Sequence, residues 1–126
     1  MNPEDLLINA KAYLWKESFA IIKSDKIPNS AFCVIKDKDE TTVIIDQNRL
    51  KDIPIKESEK NWKIITLDII FPMDTIGILS KISGCLAEKG IPIMAISAYS
   101  RDHFLIRKND TRRAVRALEL IGITVS

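Results

Sequence analysis

The sequence predicts an α+β protein, an antiparallel sheet with helices packed on one of its faces. Three observations predict it. Short runs rich in β-branched residues recur along the chain, amphipathic helical stretches separate some of them, and over 62–126 the two kinds follow the order β-α-β-β-α-β. In 126 residues this allows one ordinary domain or two very small ones.

The elements are justified in turn. Residues 2–14, NPEDLLINAKAYL, predict a helix: Asn2 caps, Pro3 suits the first turn, and Glu4 and Asp5 face the positive end of the dipole. Strands are predicted over 18–24, 31–36 and 41–46, separated by the turn IPNS and the polar run KDKDE. Residues 47–60 hold at most a helical turn and then a charged linker. WKIITLDIIF (62–71) is a strand, apolar on both faces and so expected to be covered on both. PMDT follows as a loop. A helix is predicted over 76–90, with Leu79, Ile82 and Leu86 buried and Gly90 at its end. IPIMAISAY (91–99) and HFLIR (103–107) form a hairpin. A last helix, 111–121, buries Ala114, Val115, Leu118 and Ile121, and ITVS closes as an edge strand.

The order over 62–126 is that of the ferredoxin-like split βαβ unit. Residues 17–52 give three strands without a convincing helix and read as a reduced copy of the same unit. The expected division is therefore 1–60, an N-terminal helix plus a reduced half, and 61–126, a complete unit. All four glycines fall at or after position 77, so the two parts share an element order and not their turn chemistry.

Composition narrows the function. The net charge is +2, with 10 basic and 11 acidic residues in 1–60 against 9 and 6 in 61–126. That balance, and strands 63–70 and 91–98 without aromatics for base stacking, argue against nucleic acid as a partner. No run approaches the ~18 apolar residues of a membrane span, and the N-terminus has acids near its start, unlike a signal peptide. Cys33 and Cys85 stand far apart without companion ligands, which fits buried thiols in a reducing cytoplasm and predicts no metal site.

The loop PMDTIGIL (72–79) is the candidate site. A phosphate cradle needs more glycines and a following lysine. A catalytic reading has Asp74, Thr75 and the single histidine, His103, to draw on, with Asp102 as a second acid that reads more simply as a turn former. A helix N-terminus at 75–77 offers free N–H groups and a partial positive charge, and Asp74 beside it can face an ammonium. Those features fit a zwitterion such as a free amino acid. Gly77 reads equally as close helix-on-strand packing or as space for a ligand. Trp62 reads as a core or interface anchor, His103 as structural, and Arg112, Arg113 and Arg116 as a solvated helix face that, with Arg107, can meet an acidic partner.

The run from Trp62 to about Leu120, with GILSKISGCLAEKGIPIMAISAYSRDHFLI at 77–106 and DETTVIID at 39–46, resembles the ACT domain family, and within it the small stand-alone proteins related to CASTOR-type arginine sensors. The resemblance implies tandem ACT-like units with a small-molecule site between units or between subunits. It implies a binding loop of Asp74, Thr75, Ile76, Gly77 and Ile78, with Ser97 and Asp102 facing it and Glu40 and Thr42 from the first half. Where the family carries a Gly-Pro pair this chain has Ile69-Ile70, and Met73 stands where an aromatic is usual. The resulting expectation is a cytoplasmic, non-enzymatic homodimer without cofactor that senses an amino acid or related metabolite and regulates an enzyme or transporter. The homodimer also follows from exposed sheet edges. The alternatives are a ligand-free interaction module and a small enzyme using Asp74 and His103.

Overall fold

The computed structural model describes residues 2–126. The chain falls into two compact units, Met1–Trp15 with Ile64–Ser126, and Lys16–Lys63. This differs from a division at 60/61, because the N-terminal segment belongs with the C-terminal half.

The larger unit begins with α1 (Pro3–Leu7), which is shorter than the helix expected over 2–14. Asn2 caps it as predicted, its side chain accepting from the Asp5 amide at 2.9 Å. Asn9 then takes a left-handed conformation (φ 66°) and the chain becomes strand β1 (Lys11–Leu14). Ala10 and Tyr13 sit at helical spacing from Leu6 and Leu7, but the strand wins because it gains two ladders. β1 pairs antiparallel with β5 (Glu57–Leu67) through Ala12↔Leu67 and Leu14↔Ile65, and parallel with β8 (Thr124–Val125) through Ala12↔Val125. A five-residue helix is unstable alone. Burial of Leu7, which leaves it no exposed surface, contributes roughly 1.5–3 kcal/mol toward holding it.

After β5 come α2 (Ile78–Glu88), the hairpin β6 (Ile93–Ser97) and β7 (Asp102–Arg107), and α3 (Thr111–Leu120). The strand order is β8-β1-β5-β7-β6. The sequence order β5-α2-β6-β7-α3-β8 is the predicted split βαβ, but β1 occupies the place beside β5 that the last strand takes in a lone unit. Ile65 and Leu67 of β5 and Phe104 and Ile106 of β7 pack in one core with Ile78, Ile82 and Leu86 of α2 and Ala114, Ala117 and Leu118 of α3. Ile64 and Thr66, on the opposite face of β5, are also buried, matching the two-sided cover expected of that strand.

Three boundaries move. β5 starts at Glu57, inside the expected charged linker, since its ladder needs backbone groups and not apolar side chains. It ends at Leu67 and not Phe71. α2 begins at Ile78, with Gly77 as its N-cap at φ 95°. Leu79 is exposed, because the buried stripe runs through 78, 82 and 86.

The smaller unit holds β2 (Phe19–Lys23), β3 (Cys33–Lys36), β4 (Thr41–Asp46) and the first part of β5, in the order β3-β4-β2-β5 with every neighbour antiparallel. That is the ferredoxin-like strand order without its helices. A 3-10 turn at Gln47–Arg49 stands where the second helix would begin. Loop residues take over the helices' work: Ala31, Leu50 and Ile53 pack on Ala20, Ile22, Val43 and Ile45. Buried Ser24 is satisfied by donating to the Pro54 carbonyl.

Two glycine substitutions test this packing. Gly122 (φ 101°) would place a Cβ 3.0 Å from the Ile8 Cα. Gly122→Ala is expected to destabilise by about 1–3 kcal/mol. Gly84, inside α2, has nothing within 4 Å of a Cβ. Gly84→Ala is expected to stabilise by about 0.5–1 kcal/mol, read from urea unfolding midpoints of both variants.

Candidate functional site

Between the end of β5 and the start of α2 the chain crosses the surface as the loop 68–77. Thr75 turns it, its amide donating to the Pro72 carbonyl at 3.0 Å. Opposite, the β6–β7 turn is closed by the Ala98 amide donating to the Arg101 carbonyl at 2.8 Å. Between them lies a cavity of about 320 Å³. One wall is Leu67, Ile69, Phe71, Pro72, Met73 and Thr75, with Gly77 and the first residues of α2. The other is Ser97 through Asp102.

Its polar groups come from three places. Among the described residues no side chain caps α2 and no acceptor meets the amides of Ile78, Leu79 and Ser80. A helix start of this kind carries partial positive charge. Ser97 and Asp102 are cross-strand partners on β6 and β7 and both line the cavity. The Arg101 Nε donates to Asp68 Oδ1 at 2.8 Å. That pair is exposed and contributes little to stability, but it orients the guanidinium at the cavity wall.

Of the residues predicted for the site, Thr75, Gly77, Ile78, Ser97 and Asp102 are brought together here. Asp74 is exposed and outside the lining, and Ile76 is 86% exposed. Asp74 does not cap α2, because the helix starts four residues later than it. Glu40 and Thr42 belong to the smaller unit, where they line a separate groove with Lys23, and Glu40 pairs with that lysine at 3.5 Å. Gly77 is closely packed, but against helix α1 and not against a strand as expected: a Cβ there would lie 2.6 Å from the Pro3 ring. Sequence reasoning missed Arg101, Asp68 and the apolar wall of Leu67, Ile69 and Phe71. The hairpin spacing of 97 and 102 was the available signal for Arg101, one residue before the strand.

His103 is held within the fold. Buried Thr66 receives the Trp15 indole N–H at 2.7 Å, and its hydroxyl lies 2.7 Å from His103 Nδ1. With the indole as donor, the Thr66 proton is left to point at the imidazole, which favours the neutral ring with its proton on Nε2. Among the described residues no group of three His, Cys, Asp or Glu can hold a metal ion. Cys33 and Cys85 are free thiols, both shifted upward by burial. No helix among the described residues is long and apolar enough to cross a membrane.

The class defined by this geometry is a split βαβ domain with a helix-start cavity at its edge. The ACT domain model matches residues 57–119, half of the chain, and the chain belongs to the ACT domain family. A structure from Agobacterium tumefaciens is similar over 94% of this chain and 92% of its own, with 22% identity and a TM-score of 0.77. A Vibrio cholerae protein of unknown function, described as a possible transport protein, is similar over 94% of each chain, with 17% identity and a TM-score of 0.77. The ligand-free regulatory subunit of aspartate kinase from Thermus thermophilus is similar over 87% of this chain and 95% of its own, with 13% identity and a TM-score of 0.65. At these identities the three establish the shared fold. No curated protein sequence gives a significant match.

The His103 environment makes a pH prediction. Desolvation by burial lowers its pKa, against a smaller raising pull from Asp102. A histidine whose pKa falls on folding binds its proton more readily in the unfolded chain. Its stabilising effect is therefore complete above the unfolded value of about 6.5 and is lost as pH falls below that toward the folded value. Urea midpoints are expected to fall between about pH 7 and pH 5, and to fall less in His103→Gln.

Proposed function

We propose that this protein is a non-enzymatic regulatory sensor that binds an amino acid or a related zwitterion in the cavity between the loop 68–77 and the β6–β7 turn. The single observation that carries the reading is the uncapped start of α2 facing Asp102 across one small cavity. The ligand's carboxylate accepts from the amides of Ile78, Leu79 and Ser80. Its ammonium faces Asp102, with Ser97 and Thr75 as hydroxyl partners, and its side chain lies against Leu67, Ile69 and Phe71. The acid of the site is then Asp102, while Asp74 stands outside. The lining offers the Asp102 carboxylate and an uncapped helix start, while the Arg101 guanidinium at its wall is held by Asp68.

Membership in the ACT family, whose domains are regulatory, supports the sensing role, as does the likeness to a regulatory subunit of aspartate kinase. The target would be an enzyme or transporter in the cytoplasm. A homodimer is part of the reading. Among the described residues β6 pairs with β7 alone, and it carries no charged residue, so its other edge is unprotected. Ile70, Met73, Ile76 and Tyr99, all exposed beside the cavity, supply apolar surface for a second copy. The same four residues favour a second reading, a ligand-free interaction module.

One assay separates the two. Thermal denaturation with each of the twenty amino acids is expected to give a higher melting temperature with one or two of them, since ligand at ~100 times its dissociation constant adds ~2.7 kcal/mol. Asp102→Ala is expected to remove that shift and Asp74→Ala to leave most of it. No shift with any amino acid would favour the interaction module. A full shift in Asp102→Ala would overturn the placement of the ligand.

A further inference from the structure

On the helical side of the larger unit, the end of α2 and the length of α3 border a second cavity of about 270 Å³, lined by Lys89, Arg112, Arg113, Arg116, Ala117 and Leu120. Its charge is one-sided. Arg113 is fixed, donating through Nη1 to the Lys89 carbonyl at 2.8 Å and through Nη2 to Asp110 Oδ1 at 2.9 Å. Lys89, Arg112 and Arg116 have no ion-pair partner among the described residues. The neighbouring acids Glu88 and Glu119 are not part of the lining.

The N-cap acid of α3, Asp110, pairs with Arg113 and leaves Arg112 and Arg116 without a counterion among the described residues. Arg112 and Arg113 occupy the first turn of α3, where the helix dipole is positive, and no acidic residue stands in that turn. At the carbonyl end of α2 the Leu86 carbonyl accepts from Lys89 and Ile91, the Ala87 carbonyl from Gly90, and the Lys89 carbonyl from Arg113, so that end engages Arg113 and not Arg112 or Arg116. Beside the charges lies an apolar wall. Ala117 is buried, and Leu120 is 72% exposed on a helix whose other leucine, Leu118, is buried.

We propose that this groove is an anion site that takes a nucleoside phosphate, with phosphate oxygens on Arg112, Arg116 and Lys89 and the base against Ala117 and Leu120. Guanidinium groups suit phosphate because their paired N–H donors match its oxygens. Several converging cations suit a ligand with more than one negative charge, and the exposed leucine suits a flat apolar body and not a bare ion. The site stands independently of the amino-acid cavity and uses none of its residues.

The test is isothermal titration of the full chain with ADP, pyrophosphate and adenosine at low and moderate salt. ADP is expected to bind, pyrophosphate to bind more weakly, adenosine to give no heat, and both anions to weaken as salt rises. Arg112→Glu and Arg116→Glu are each expected to weaken ADP by about tenfold or more, since each removes a charged hydrogen bond and adds repulsion. Arg49→Glu makes the same charge change at a residue outside the lining and is expected to leave ADP within about twofold, because the phosphate contacts come from the groove residues. Leu120→Ala is expected to weaken ADP and spare pyrophosphate. The proposal is overturned if neither ADP nor pyrophosphate binds at millimolar concentration, or if Arg49→Glu weakens ADP as much as the groove variants do. If Leu120→Ala leaves ADP unchanged, the nucleoside half of the proposal is wrong.

Discussion

The strand Lys11–Leu14 is the constraint on which the larger unit depends. It enters between β5 and β8 and gives each an edge to bond. Asp68 donates to the Lys11 carbonyl at 2.7 Å, Thr124 to the Ala10 carbonyl at 2.8 Å, and Leu14 to the Ser126 carbonyl at 3.0 Å. β8 is only two residues long and among the described residues pairs with β1 alone, so without β1 it has no strand partner. The same segment reaches the candidate site. α1 sets Pro3 against Gly77 and Glu4 near Lys81 at 3.6 Å, so the start of α2 is braced from behind by the N-terminus of the chain. A helix start left uncapped on its open side is thus positioned by packing on its closed side.

The smaller unit solves a different problem. Its strands keep the order that a split βαβ requires, yet its connections are too short to carry helices. A sheet that loses its helical cover must find other apolar cover, or its Ile and Val residues face water. Ala31, Leu50 and Ile53 supply it from loops. This explains why a stretch rich in β-branched residues but poor in helical periodicity can still follow the topology of its neighbour.

Most of the fold was legible because the side-chain pattern and the local structure agreed. From Trp62 onward, period-2 and period-3.6 stretches alternate cleanly, and glycines mark the ends of both helices. The N-terminal helix was overextended because Ala10, Tyr13 and Leu14 satisfy a helical spacing that says nothing about distant partners. The strand there exists only through residues fifty and more positions away, and no local pattern encodes that. The early start of β5 was hidden in the same way: Glu57 and Glu59 are exposed charges, and their strand state comes from pairing with Lys23 and Ile21. At the candidate site, the loop and the facing strands could be read from the resemblance. Asp74 lies outside the lining because α2 starts at Ile78, two residues later than its spacing predicts.

The most direct measurement of the central claim is native-state hydrogen exchange on the intact chain. If the N-terminal strand is an integral part of the larger unit, the amides of Trp15, Asp68 and Thr124, which bond across its ladders, open with the same free energy as those of Ile82 and Leu86 in α2. Exchange of these ladder amides far faster than the α2 amides, or in step with the strands of the smaller unit, would contradict the account.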